Sequence, residues 1–230
     1  MAASSRPGRL GLLGPIIVLV GAAVAAGGVY LMISNKPRPG AVIETVQISP
    51  TAKIVVRAED GGERNFVELH EGDELKWQAM VPTYGGRHDA TGISWSDVAV
   101  SVRVIRGHKA ELFILARQNA DKIGGIHLGG DHGPIREPSS GPLTLTDNNR
   151  TYEIVGGPDW NTMTAIDLRS GTKLWITELG KEPITAGAVT GGLIWLEQAG
   201  AKRYFRVFTG KEDRSSEATG IPLVPPTPAP

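Results

Sequence analysis

Near its N-terminus the sequence carries a long apolar segment without charge, and this segment constrains the architecture of the chain more than any other feature. No charged residue occurs from Leu10 to Ile33, a run of 24 residues. At about 1.5 Å per residue, a helix of this length spans about 36 Å, which exceeds the roughly 30 Å of a bilayer hydrocarbon core. We therefore predict a short basic N-terminus at residues 1–9 and a transmembrane helix at residues 10–33.

A cleaved signal peptide is the main alternative for this segment. Arg6 and Arg9 resemble the basic region of such a peptide, and Ala23-Val24-Ala25 resembles a cleavage site with small residues. The apolar run continues beyond that site through Val29–Ile33, which favours an uncleaved signal anchor. Because an N-terminal anchor usually exports the domain that follows it, we expect the bulk of the chain to be extracytoplasmic at the cell membrane, and periplasmic in a Gram-negative bacterium.

Composition excludes several classes of protein. The 24 Lys and Arg residues balance 24 Asp and Glu residues, which argues against a nucleic-acid binder. The chain has no Cys, so disulfide scaffolds, thiol nucleophiles, thiolate zinc sites and iron–sulfur clusters are excluded. The 30 Gly and 16 Pro residues favour many short strands over a helical bundle.

The segment beyond the apolar run has the pattern of an all-β, antiparallel domain. Short β-rich runs alternate with turn signals, and no amphipathic helix of three turns is apparent. The predicted runs are residues 53–57, 98–105, 111–116, 143–146, 151–155, 164–168, 173–177, 192–196 and 204–208.

Prolines mark both boundaries of this domain. Pro37 and Pro39 predict a stiff linker at residues 34–41, since proline fixes φ and resists helix formation. The β domain is predicted at residues 42–212. Residues 213–230 are rich in proline, and we expect an extended, disordered tail there.

One hairpin has a sequence whose mechanism can be derived from its residues. Ala165 and Asp167 precede a turn that contains Gly171, and Trp175 follows it. Glycine supplies the positive φ that a tight turn requires, and the Asp side chain can accept hydrogen bonds from turn N–H groups. Trp175 would pack on a neighbouring sheet with its N–H bonded to a carbonyl, and the small Ala165 leaves room for such a ring.

This spacing resembles the tryptophan-docking repeat of the quinoprotein-like β-propeller family, whose repeats are named after pyrroloquinoline quinone. The resemblance is best over residues 151–212, where Gly192–Leu196 and Tyr204–Lys211 also resemble that repeat. It implies a small or incomplete β-propeller, a sandwich derived from one, or an array completed by another chain. It also implies kinship with relatives that serve as scaffolds or assembly factors at bacterial membranes.

Other copies of the motif are degenerate. In Phe66–Trp77, Glu68 occupies the Asp position and Trp77 comes one residue late. The copy at Gly210 lacks the Asp and the Trp. The interval from Gly171 to Gly210 is 39 residues, a plausible blade period, so the domain holds about four such units.

The sequence shows no convergent catalytic set. His127, Asp131 and His132 form a weak metal candidate, because two imidazoles and a carboxylate can bind a zinc-like ion, but a solvated glycine-rich loop explains them equally well. We expect no enzyme activity, no cofactor and no nucleic-acid partner.

The predicted function is therefore a membrane-anchored, non-catalytic scaffold or assembly subunit that binds partner proteins, for which a multi-subunit membrane complex is one setting. Two alternatives remain open at this point: an accessory fragment of a quinone- or calcium-dependent oxidoreductase, and a glycan-binding module on a membrane stalk.

Overall fold

The computed structural model describes residues 37–61, 64–82, 89–106, 109–129, 144–157 and 159–214. Its chain divides into two units, Met1–Arg38 and Pro39–Pro230, and the second contains all the strands described below. Within the described ranges, no helix is long and apolar enough to cross a membrane. The segment 10–33, the tail beyond Arg214, Asp131 and His132 lie outside these ranges, so the predictions for them stay predictions.

The domain is all-β, as the sequence predicts. Its described strands form four antiparallel sheets, each of which follows the chain without a crossover. The first sheet comprises β1 (Pro39–Ser49), β2 (Ala52–Glu59), β3 (Arg64–Glu71) and β4 (Glu74–Pro82), and the second comprises β5 (Asp89–Trp95), β6 (Ala99–Arg106), β7 (Lys109–Ala116) and β8 (Lys122–Leu128). The third comprises β9 (Thr144–Asp147), β10 (Arg150–Gly156), β11 (Asn161–Asp167) and β12 (Thr172–Gly180), and the fourth comprises β13 (Ile184–Thr190), β14 (Leu193–Gln198) and β15 (Ala201–Arg206).

The first strands of the sheets lie side by side along the array. β1 contacts β5, β5 contacts β9, and β9 contacts β13. The outer strands β8 and β12 also meet. β1 begins at Pro39, inside the predicted linker 34–41, and proline is tolerated there because the first residue of an edge strand need not donate to the ladder.

Three hydrophobic cores fill the spaces between consecutive sheets. The two middle sheets are covered on both faces, which explains why β7 reads as a continuous apolar run instead of an alternating one. On that strand Phe113 and Leu115 pack in the core shared with the first sheet. Leu112 and Ile114 pack in the core shared with the third. The sheets therefore stack face to face, and their turns gather at the two ends of the strands.

Candidate functional site

Trp175 joins the third sheet to the fourth. It lies on the outer strand β12, opposite Ala165 of β11, and its Nε1 donates a hydrogen bond of 3.0 Å to the Val207 carbonyl in the turn after β15. The ring centroids of Trp175 and Tyr152 are 5.8 Å apart. Tyr152 is buried at this junction, and its burial raises the pKa of its hydroxyl to about 12. The indole thus reaches across the junction and bonds to the backbone of the next sheet.

The turn between β11 and β12 is held by backbone and Asp167 contacts. Asp167 Oδ1 accepts hydrogen bonds from the amides of Arg169 at 2.7 Å and Ser170 at 3.1 Å. The Gly171 amide donates to the Asp167 carbonyl at 2.9 Å, and Gly171 has a φ of +66°. The Asp167 side chain therefore accepts hydrogen bonds from the turn amides, which is the role expected of an Asp at this position of a turn.

A second tryptophan makes the equivalent hydrogen bond between the first and second sheets. Trp77 of β4 donates from Nε1 to the Arg117 carbonyl at 2.7 Å. Arg117 belongs to the turn after β7, where the Ala120 amide donates to the Ala116 carbonyl at 2.9 Å, as Gly171 does to Asp167. Ala120 takes the place of the turn glycine and has a φ of +63°. The indole in the degenerate copy of the motif thus packs on a turn in which Ala120 stands at the glycine position.

The junction between the second and third sheets differs from the other two, and Trp160 packs against its core. Gly124 follows Ala120 by four residues, as Trp175 follows Gly171, so a glycine stands at the docking position. A methyl group on Gly124 would lie 3.1 Å from the Gly171 carbonyl oxygen and 3.2 Å from its Cα. At the position that corresponds to Trp175, close backbone approach between Gly124 and Gly171 therefore takes the place of an indole.

His127 is the one member of the weak metal candidate that the structure describes. It lies on β8 opposite Glu111 of β7, with Nδ1 3.0 Å from Glu111 Oε1. Within the described residues there is no group of three or more His, Cys, Asp or Glu side chains that could hold a metal ion.

A buried ion pair crosses the core between the second and third sheets. Arg103 Nη1 of β6 lies 2.8 Å from Glu153 Oε2 of β10, and both side chains are almost fully buried. Thr144 and Thr151 each donate to the Glu153 carboxylate at 2.9 Å. Burial raises the pKa of Glu153, and the Arg103 guanidinium acts against that rise. Separating the partners of a buried pair is costly because it leaves a buried charge without compensation, so this pair favours the alignment of the two sheets that brings Arg103 and Glu153 together.

An open groove runs over the turns at one end of the strands. One concavity of about 340 Å³ lies between the turns of the third and fourth sheets, and it is lined by Asp147, Asn148, Asn149, Arg150, Asp167, Arg169 and Phe208. A second, of about 270 Å³, shares Asn148 and Asn149 with the first and is also lined by Ile48, Trp95, Ser96, Asp97 and Arg117. In the orientation that satisfies its amide, Asn149 donates to Ser96 Oγ at 3.2 Å and accepts from Arg169 Nη2 at 2.8 Å. The shared turn is thus fixed to both sides of the groove.

Phe208 is the most exposed large apolar side chain among the described residues, at 73%. It lies in the turn that receives Trp175, and the Arg150 guanidinium carbon is 4.6 Å from its ring centroid. Three arginines and three aspartates line the groove, so its polar rim carries both charges in equal number. An exposed ring with an arginine at a concave surface is the composition typical of protein-binding sites.

Sequence reasoning found the Trp175 turn but missed the groove. Phe208 and Arg150 are 58 positions apart and meet only because the turns of two sheets converge. The Ala120 turn was also missed, because a motif search requires glycine at the position where alanine adopts the positive φ.

Comparison with known proteins supports the architecture. The sequence matches no protein-family model and no curated protein. Among solved structures, BamB from Moraxella catarrhalis aligns with 75% of this chain and 48% of its own, at 11% identity and a TM-score of 0.51. The Dos1 propeller aligns with 74% of this chain and 46% of its own, at 8% identity and a TM-score of 0.50. The computationally designed Ika4 protein aligns over 74% and 93%, at 12% identity and a TM-score of 0.49.

The likenesses to BamB and to the Dos1 propeller show a β-propeller-like fold, and they show the fold alone. The chain spans just under half the length of BamB and of the Dos1 propeller chain. The membership in the quinoprotein-like family that the hairpin suggests stays a prediction.

Proposed function

We propose that this protein is a single-pass membrane-anchored scaffold or assembly subunit whose propeller-like domain binds partner proteins on the extracytoplasmic side. In this role the domain needs no catalytic residue and no cofactor. A propeller-like fold is compatible with it, because stacked sheets offer a rigid frame on which the turns form a binding surface.

The exposed Phe208 ring beside Arg150 is the observation that carries the proposal. Both side chains line the groove between the third and fourth sheets, where Phe208 lies in a turn held by backbone hydrogen bonds and Arg150 is the first residue of β10. A partner that covers the ring removes apolar surface from water without first ordering the receptor. Aromatic and arginine side chains in such positions contribute most to protein–protein affinity.

The anchor is supported by the sequence of residues 10–33. An uncharged run of this length is expected to span a bilayer as a helix. Tethering would confine the groove to a layer near the membrane, where a partner that is itself in the membrane meets it at high effective concentration.

Affinity purification of the full chain from mild detergent tests the proposal. We expect a stable partner protein to co-purify, and we expect Phe208→Ala or Arg150→Ala to reduce its recovery at least tenfold. Leu75→Ala is the matched control, since Leu75 is also exposed, at 47%, but lies on the outer strand of the first sheet and outside the groove. The same partner recovered equally with Phe208→Ala, at unchanged domain Tm, would contradict the assigned surface. The absence of any stable partner would contradict the scaffold role.

A further inference from the structure

The array of described sheets has two ends that differ from its interior. The two middle sheets share a core with a neighbour on each face, whereas the first and fourth sheets each share only one of the three cores. Consecutive first strands touch along the array, but no comparable contact joins β13 to β1 among the described strands. Val42 of β1 is accordingly 50% exposed.

At the end of the array formed by the first sheet, the turn before the outer strand β4 receives no contact from another described sheet. In the other three sheets, the turn before the outermost segment receives the preceding sheet through Trp77, Gly124 or Trp175. The corresponding turn of the first sheet contains Gly72, and a methyl group built on Gly72 would meet nothing within 4 Å. This turn therefore has the geometry of a docking site without an occupant from the described part of the chain.

The Gly72 turn is also acidic. Glu71, Asp73 and Glu74 surround the glycine, and all three are exposed. Lys76 lies 2.8 Å from the Glu74 carboxylate and 3.4 Å from that of Glu71. Lys76 thus pairs with two of the three carboxylates, and the turn keeps a net negative charge.

The fourth sheet ends in a basic and aromatic surface. Trp175 follows its turn glycine by four residues, and the same step from Gly210 leads to the exposed Arg214. On the face away from the third sheet, Trp195 and Tyr204 are half-buried, and the Lys202 ammonium is 4.9 Å from the Trp195 ring centroid. The docking position at this end is therefore positive, where the receiving turn at the other end is negative.

We propose that a second copy of this chain closes the array, with the fourth sheet of each copy packed against the first sheet of the other. Arg214 of one copy faces the Gly72 turn of its partner, and Trp195 and Tyr204 face the outer surface of the first sheet. On that surface Val42 and Met80, which share a register row, are 50% and 44% exposed.

The geometry favours a second copy over an unrelated partner. Each copy carries both halves of the junction, so a two-fold axis forms two identical interfaces and leaves neither end open.

The mass of the full chain in mild detergent, measured by size-exclusion chromatography with light scattering, tests this proposal. We expect a dimer. Arg214→Glu should raise the dissociation constant at least tenfold, and the charge-swapped pair Arg214→Glu with Asp73→Lys should restore association. Lys181→Glu is the control, because Lys181 is an exposed base in the connection between β12 and β13. A monomeric parent chain, or an Arg214→Glu variant that dimerises normally, would overturn the proposal.

Crosslinking locates the interface and separates this proposal from the partner groove. Because the chain has no Cys, single variants Lys202→Cys and Lys53→Cys in differently tagged copies can be joined by a short bis-maleimide without background. We expect crosslinked pairs in the mixture. Crosslinking only within one chain of the double variant would show that the array closes on itself and would overturn the proposal. Phe208→Ala should leave these crosslinks unchanged, so failure of the groove and failure of the dimer are distinguishable.

Discussion

At the scale of single residues, contact with an indole decides how much a turn glycine matters. Gly210 and Gly191 both have positive φ, of +66° and +56°. A methyl group on Gly210 would lie 2.5 Å from Trp175 Cε3, whereas one on Gly191 would meet nothing within 4 Å. Both glycines therefore adopt the left-handed backbone conformation, but only Gly210 is also packed against an indole.

We predict that Gly210→Ala destabilises the domain much more than Gly191→Ala. Gly191→Ala should cost about 1 kcal/mol of unfolding free energy, for the positive φ alone. Gly210→Ala should cost a further ~1–3 kcal/mol, because the methyl group displaces the indole. Urea denaturation followed by Trp fluorescence measures both, and equal losses would show that the docked ring does not depend on this glycine.

Ala120 occupies a conformation that glycine adopts more easily. Its φ of +63° places it in the left-handed region, where a side chain costs about 1 kcal/mol. We predict that Ala120→Gly raises the free energy of unfolding by up to ~1 kcal/mol in chemical denaturation. A loss of stability would instead mean that the contact of the Ala120 methyl group with the first core outweighs backbone strain.

At the scale of strands and sheets, the contact between the outer strand of one sheet and a turn of the next is made by different residues at different junctions. An indole bonds to a turn carbonyl at two junctions, and glycine against glycine closes the third. The motif at Ala165–Trp175 could be found from sequence because its Asp, Gly and Trp are all present. The junction at Gly124 could not, because a backbone contact between two glycines leaves no recognisable pattern of side chains.

The strand β1 carries a carboxylate whose titration should act against stability. Burial raises the pKa of Glu44 above its ordinary value of 4.5, and the Arg103 charge opposes that rise. The folded chain thus holds this proton more tightly than the unfolded chain, so the contribution of Glu44 to stability falls as the pH rises from about 4.5 through the folded pKa.

We therefore predict that Glu44→Gln stabilises the domain at neutral pH. At a pH below 4.5, the ordinary pKa of the carboxyl group, the substitution should change the stability little. Thermal denaturation across the pH range measures the difference in Tm between the variant and the parent. Glu182→Gln, at an exposed position between β12 and β13, controls for the loss of one negative charge. A Glu44→Gln variant that is less stable than the parent at neutral pH would show that the ionised carboxylate has a stabilising contact.

At the scale of the whole molecule, a rigid stack of sheets is joined in sequence to an apolar segment. The fold likeness to BamB and to the Dos1 propeller concerns the sheets, while the anchor rests on the composition of residues 10–33. For the proposed anchored protein, orientation is the property that connects the two, because the groove would meet only partners on its own side of the membrane.

We predict that the β domain is exported. In a Lys181→Cys variant, a membrane-impermeant maleimide should label the protein in intact spheroplasts, because Lys181 is exposed. A Ser4→Cys variant should be labelled only after detergent is added, and alkaline carbonate should not extract the protein from membranes. The reverse labelling pattern would place the groove in the cytoplasm, and extraction by carbonate would argue against the anchor.

The sequence by itself determined the all-β class, the turn at Gly171 and the expectation of about four repeating units, because these follow from local alternation, turn residues and spacing. Only the tertiary structure decided which sheets meet, that Arg103 and Glu153 pair across a core, and that Phe208 lies beside Arg150 over a groove. The reason is physical: a period of two along a strand specifies which side chains share a face, but the partner of that face is chosen by packing between residues far apart in the chain.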